Sequence, residues 1–132
     1  NDHTSRVPTI NTGKIINLNI PLIHFQFVNW DRSQIKQVWY KCSEKINGID
    51  PKKINEKYYH STNENNLQLS KTKSKWFKNL EVNKSIENSL IIETWYYKEI
   101  KDMFLKHGKD EFRDLDIWSN KYVQELSNSL GI

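Results

Sequence analysis

At 132 residues and 15.8 kDa the chain has the length of one domain, and five Trp, six Tyr and five Phe exclude a disordered polymer despite a mean hydropathy of −0.80. A single cysteine, Cys42, excludes an intramolecular disulfide framework and a Cys-rich zinc site, and no apolar run approaches the ~20 residues of a membrane span. The formal net charge of +4 leaves acidic partners open.

Residues 1–20 read as an extended N-terminal tail: polar up to Gly13, then Ile16, Leu18 and Ile20 alternating with asparagines. No apolar h-region opens the chain, so no signal peptide is read there. Residues 21–132 form the expected single helical domain. Residues 22–29 fit both periods, since Leu22, Phe25 and Val28 suit a helix and Ile23, Phe25 and Phe27 suit a strand. Pro21 at a first helical position tips the reading toward a short helix.

The next helix is expected to be capped by Asp31, with Gln34 three residues on as in a capping box. Ile35, Val38, Trp39, Cys42 and Ile46 make its apolar face, and Gly48 ends it. Asp50-Pro51 restarts a helix, because Asp caps and proline tolerates the first turn. Ile54 and Tyr58 share its face, and it is expected to end near His60. Residues 61–74 (STNENNLQLSKTKS) read as a long polar loop. Trp76, Phe77 and Leu80 suggest a helical turn after Ser74.

The longest helix is predicted over 85–107, with Ile86, Leu90, Ile92, Tyr96, Tyr97, Ile100, Met103 and Phe104 on one arc. Lys106 and His107 suit its C-terminal dipole, and Gly108 stops it. Only Gly108 and Lys109 precede the next expected cap, Asp110, which implies an antiparallel partner helix over 111–130. That helix carries Phe112, Leu115, Trp118, Tyr122, Val123, Leu126 and Leu130. The expected fold is therefore all-α, a small bundle of four to five helices built on this central antiparallel hairpin.

No pattern in the sequence carries catalysis. His3, His24, His60 and His107 are not spaced with other ligands, which argues against a metal site. Glu93/Asp102 and Asp110/Asp114 fall on polar helix surfaces, whereas acid–base work needs a cleft. The four glycines are isolated, so no phosphate-cradling loop is present. Cys42 lies on an apolar face and reads as a small core hydrophobe. Its solitary state is compatible with a reducing intracellular compartment. The expectation is a non-enzymatic protein without metal or other cofactor.

Charge is uneven. Residues 31–85 carry twelve Lys/Arg against six Asp/Glu, while residues 86–132 carry six against nine. Lys71, Lys73, Lys75, Lys78 and Lys84 surround Trp76 and Phe77. This cluster reads as a solvated loop, as a contact for an acidic protein segment, or as a nucleic-acid patch. With only three Arg in the chain, nucleic acid is the least favoured. On the long helix, Ile91, Trp95 and Leu105 fall outside the main arc, and Ile117 falls off the stripe of the last helix. These positions are either core residues of a helix buried all round or an apolar groove with Trp95 as anchor for a docking helix or peptide. The expected binding residues are Ile91, Trp95, Leu105 and Ile117, with Lys71, Lys75 and Lys78 as steering charge.

Asp31-Arg32, Val38-Trp39-Tyr40 and Ile49-Asp50-Pro51, with Trp95-Tyr96-Tyr97 and Trp118 further on, give residues 22–130 a pattern that resembles the PHIST family (Plasmodium helical interspersed subtelomeric domains). The chain departs from that pattern in having Tyr58-Tyr59 where the family often has Trp, one Trp in the final helix and a long 61–74 loop. The resemblance implies a helical adaptor exported into the cytoplasm of the infected red cell, its export signal upstream. It also implies association with host cytoskeleton or with the acidic cytoplasmic tail of a parasite surface adhesin. The Asn-, Lys- and Ile-rich composition without a single Ala suits an AT-rich source. The other reading kept open by the residues is a small basic helical nucleic-acid-binding domain.

Overall fold

Asn29 opens the first helix, and its Oδ1 accepts the Arg32 backbone N–H at 2.8 Å. A computed structural model describes residues 29–63, 65, 68, 70, 71, 73–77 and 91–131. The expected tail at 1–20, the short helix at 22–28, most of the 61–74 loop and the 85–90 start of the long helix lie outside these residues. Among the described residues the protein is all-α, with helices α1 (Trp30–Ile46), α2 (Pro51–Thr62), α3 (Trp95–His107) and α4 (Lys121–Leu130), and no strand.

Asn29 replaces the expected cap Asp31. The Asp31 carboxylate instead accepts Lys121 Nζ and the Tyr122 hydroxyl, each at 2.9 Å, tying α1 to α4. Gln34 closes no capping box; its Nε2 donates to the Ser61 carbonyl at the end of α2. The turn between α1 and α2 follows the sequence closely. Gly48 takes φ +80°, a left-handed conformation that the absent Cβ permits, and Asp50 caps α2 ahead of Pro51.

Two stripes of α1 are buried. Ile35, Val38 and Cys42 form the apolar one, and Ser33, Gln37, Lys41 and Glu44 form a second, polar one. Both are covered because α2 and α3 each pack on this helix. Ile46, expected on the apolar face, is 37% exposed at the helix end. Ile54 and Tyr58 from α2, Ile100 and Phe104 from α3, and Val123 and Leu126 from α4 complete the core with α1. Full burial of each such side chain stabilises the fold by roughly 1.5–3 kcal/mol relative to exposure.

The two long helices are shorter than their periodicity predicts. A 3-10 turn at Ile91–Glu93 precedes α3, and Thr94 separates the two: its hydroxyl donates to the Ile91 carbonyl at 2.7 Å and accepts the Tyr97 N–H at 3.4 Å. After Gly108 the chain makes a 3-10 turn at Lys109–Phe112, then a series of turns to Asn120, which caps α4 through Tyr122 N and Val123 N. Asp110 caps no helix. Phe112, Leu115 and Ile117 are buried all the same, so this connection is a core element without a helical hydrogen-bond ladder.

Side chains supply its missing bonds. Asn55 of α2 donates to the Asp114 carbonyl at 3.0 Å and accepts the Asp116 N–H at 2.8 Å. Lys41 Nζ donates to the Asp116 carbonyl at 2.7 Å, and Trp118 Nε1 to the Arg113 carbonyl at 3.2 Å. Asn55→Ala removes two of these bonds at once. The expected loss is about 1–3 kcal/mol in urea unfolding, with faster hydrogen exchange at the Asp116 amide and unchanged exchange in the middle of α1.

Candidate functional site

Thr94 places Trp95 in the first turn of α3, at the seam with α1, where its indole stays 51% exposed. The ring leans edge-on against Trp39 of α1, with centroids 4.8 Å apart and planes at 74°, and lies 4.0 Å from Tyr96. Trp39 in turn meets Tyr40 at 4.9 Å, and Tyr40 stacks on Tyr58 of α2 at 6.0 Å with only 12° between planes. A continuous band of rings therefore crosses from α3 over α1 to α2. Edge-to-face and offset-stacked geometries of this kind each add about 0.5–1.5 kcal/mol beyond the area they bury.

Cations line the band. Lys36 Nζ lies 5.7 Å from the centroid of Tyr40, and Lys57 Nζ 5.0 Å from that of Tyr58. Arg32 stands close enough to Tyr96 for its charge to oppose the upward push that burial gives the Tyr96 hydroxyl. Lys57 is partly neutralised, because the buried Glu44 accepts both its ammonium and, at 2.7 Å, the Tyr58 hydroxyl. Burial and the bond to Glu44 push the Tyr58 hydroxyl up to about 12. Arg32 and Lys36 face no carboxylate at ion-pair distance among the described residues. Their charge is available to an approaching anion.

The expected binding residues separate. Ile91 is 7% exposed and Ile117 1%, so both belong to the core and neither offers a surface. Their predicted exposure assumed continuous helix through 91 and 117. In the 3-10 turn before Thr94 the i, i+4 relation to Trp95 does not hold, and Ile117 sits in the turns that the core closes over. Leu105 is 62% exposed but lies ten residues along α3 from Trp95, about 15 Å of rise, which makes it a separate surface point. Lys71 and Lys75 are exposed, and no described contact joins them to Trp95. Lys78 lies outside the described residues.

Trp39, Tyr40, Arg32 and Lys36 complete the site without having been singled out as binding residues. The available signal is the pairing of adjacent rings, Trp39-Tyr40 and Trp95-Tyr96-Tyr97, since neighbouring helical residues face different ways and cannot all enter one core. Trp39 Nε1 is buried with no hydrogen-bond acceptor among the described residues, a cost of about 1–3 kcal/mol carried at the centre of the band.

The remaining chemistry-bearing residues lie apart from it. Cys42 is fully buried, and its thiol is pushed up to about 12 by that burial. No group of three or more His, Cys, Asp or Glu among the described residues is placed to hold a metal ion. No described helix is long and apolar enough to cross a membrane. Comparison with known proteins adds no second line: no family model, curated protein or solved structure matches the chain.

Proposed function

We propose that the protein is a non-catalytic interaction module whose Trp39–Trp95 band docks an acidic, amphipathic protein segment. The half-exposed Trp95, seated on a ring platform that has Lys36 over Tyr40 and Arg32 near Tyr96, is the observation that carries this reading. Trp and Arg are the residues most enriched at interface hot spots, and a ring already packed on one face loses little rotamer freedom on binding. Residues 31–60 carry seven Lys/Arg against four Asp/Glu, so attraction to an acidic segment acts at long range and weakens with salt. The resemblance to the PHIST family points to the same class of partner, an acidic cytoplasmic tail or host cytoskeleton, and to export into the host-cell cytoplasm.

The test is titration with a synthetic Glu-rich peptide carrying Leu or Phe at helical spacing, followed by fluorescence anisotropy at two salt concentrations. Trp95→Ala is expected to weaken binding at least about 30-fold, the loss typical of a hot-spot ring. Its circular dichroism is expected to match the wild type, since half the ring is already in solvent. Arg32→Gln combined with Lys36→Gln is expected to slow association and flatten the salt dependence. Equal affinity of the wild type and the Trp95 variant would remove the site. Tighter capture of single-stranded RNA than of the acidic peptide would replace this reading with a nucleic-acid one.

A further inference from the structure

A second region of the molecule is unrelated to the ring band. A cleft of about 460 Å³ opens between α1, the end of α2 and the start of α4, within the size range of small-molecule sites. Lys41 and Asp116 line it together with Trp30, Tyr59, Lys121 and Tyr122. We propose that this cleft binds a small carboxylate- or phosphate-bearing molecule, with the oxyanion seated on the Lys41 ammonium and a flat apolar body against the rings.

Lys41 is the reason. Its side chain is 1% exposed, yet among the described residues only one full hydrogen bond holds it, to the Asp116 carbonyl at 2.7 Å. An ammonium carries three donors. The nearest carboxylate oxygen, Asp116 Oδ2, stands at 3.9 Å, beyond hydrogen-bond length, on a side chain that is itself 59% exposed. Holding one carbonyl needs no charge; a glutamine amide of similar reach does it without the desolvation that a buried cation incurs. Burial accordingly lowers the proton affinity of Lys41, with Asp116 only partly opposing it.

The other ionisable groups of the cleft leave this cation as the open one. Asp31 is already bound by Lys121 Nζ and the Tyr122 hydroxyl, both at 2.9 Å, which holds its carboxylate below the usual range. Lys121 is committed to that pair. Two of the three Lys41 donors are left for an incoming oxyanion beside the Asp116 carbonyl; the loose Asp116 carboxylate is its competitor there, and the oxyanion gains a charge-assisted bond inside a partly dry site.

The whole chain, labelled with 13C at the lysine ε-carbon, is titrated with sodium benzoate, acetate and phosphate at constant ionic strength against chloride. A saturable shift of the Lys41 signal, with the exposed lysines unmoved, is the expected result. Benzoate binding more tightly than acetate marks a ring-bearing carboxylate, and phosphate exceeding both marks a phosphate ligand. Lys41→Met keeps the length and apolar stem and is expected to weaken binding at least about tenfold, the value of a charged hydrogen bond. Asp116→Asn removes the competing carboxylate and is expected to tighten binding, a readout that survives if the Lys41 variant fails to fold. Non-saturating shifts spread over many lysines, equal response to chloride, or unchanged affinity in both variants would overturn the proposal.

Discussion

Phe104→Ala is expected to cost about 3–5 kcal/mol, the upper range for truncating a buried side chain. The ring is 1% exposed, with its centroid 5.3 Å from that of Phe112, the planes tilted by 32°, and 5.7 Å from that of Trp118, on which it stacks at 28°. Those two rings belong to the connection between α3 and α4, which has no helical ladder of its own and is held by burial and a few side-chain bonds. Removing Phe104 opens a cavity at the joint where that connection meets α3, and the turns around it have no regular hydrogen bonding with which to close the gap. Leu105→Ala, one residue on at a site 62% exposed, is the control and is expected to change stability by less than about 0.5 kcal/mol. Urea unfolding gives both values, and the near-ultraviolet dichroism of the Phe104 variant reports loss of Trp118 packing. Similar midpoints for the two variants would show that the connection is not anchored there.

That connection also shows where the sequence is legible and where it is not. The α1–α2 corner can be read outright, because Gly48, Asp50 and Pro51 each have one local conformational role and no tertiary contact overrides it. The stretch over 111–130 cannot. Phe112, Leu115 and Trp118 recur every three residues, a spacing shared by an α-helical stripe and by successive 3-10 and irregular turns. The cue against a continuous helix is Asn120, a cap residue in mid-run; Thr94 is the same cue within 85–107. Both helices begin at these caps, so polar residues that satisfy free N–H groups outweigh an apolar pattern that turns can also satisfy.

The site follows the same division. Trp95 stands off the apolar arc whichever residue starts the helix, a pattern that fits both a helix buried all round and an exposed anchor, and its 51% exposure follows from where α3 meets α1. Ile91 and Ile117 depend on helix being continuous through them, and both are buried once it is not. The polar stripe Ser33, Gln37, Lys41 and Glu44 resembles a solvated face in sequence. It is buried because α1 is covered on two sides, a fact of packing that α1's own residues do not encode.

Stability is expected to fall between pH 9 and pH 12, gently at first and steeply above about pH 10.5. Cys42 titrates near 9 when unfolded and near 12 in the fold, where burial disfavours the thiolate and the Lys41 charge only partly offsets it. Tyr58 moves the same way, from 10 to about 12, through burial and its bond to Glu44. Below pH 9 both states hold these protons, and the contribution of each group is intact. Above it the unfolded chain releases protons that the native chain keeps, so each further rise in pH favours unfolding. The thiol alone accounts for about 4 kcal/mol across the window, a large part of the stability of an ordinary domain. Lys41 works in the opposite sense. Its affinity for the proton is lowered in the fold, so below pH 10.5 rising pH relieves a buried charge and adds stability. The net decline is therefore shallow up to about that point and steeper beyond it. Urea midpoints measured from pH 7 to pH 11.5 give the curve. Cys42→Ala costs about 1–2 kcal/mol at pH 7 through its cavity, yet loses about 3 kcal/mol less on going to pH 11, so the two curves converge and then cross. Parallel curves for the wild type and the Cys42 variant would mean that the thiol ionises as readily in the fold as out of it, and that the alkaline limit of this protein is set elsewhere.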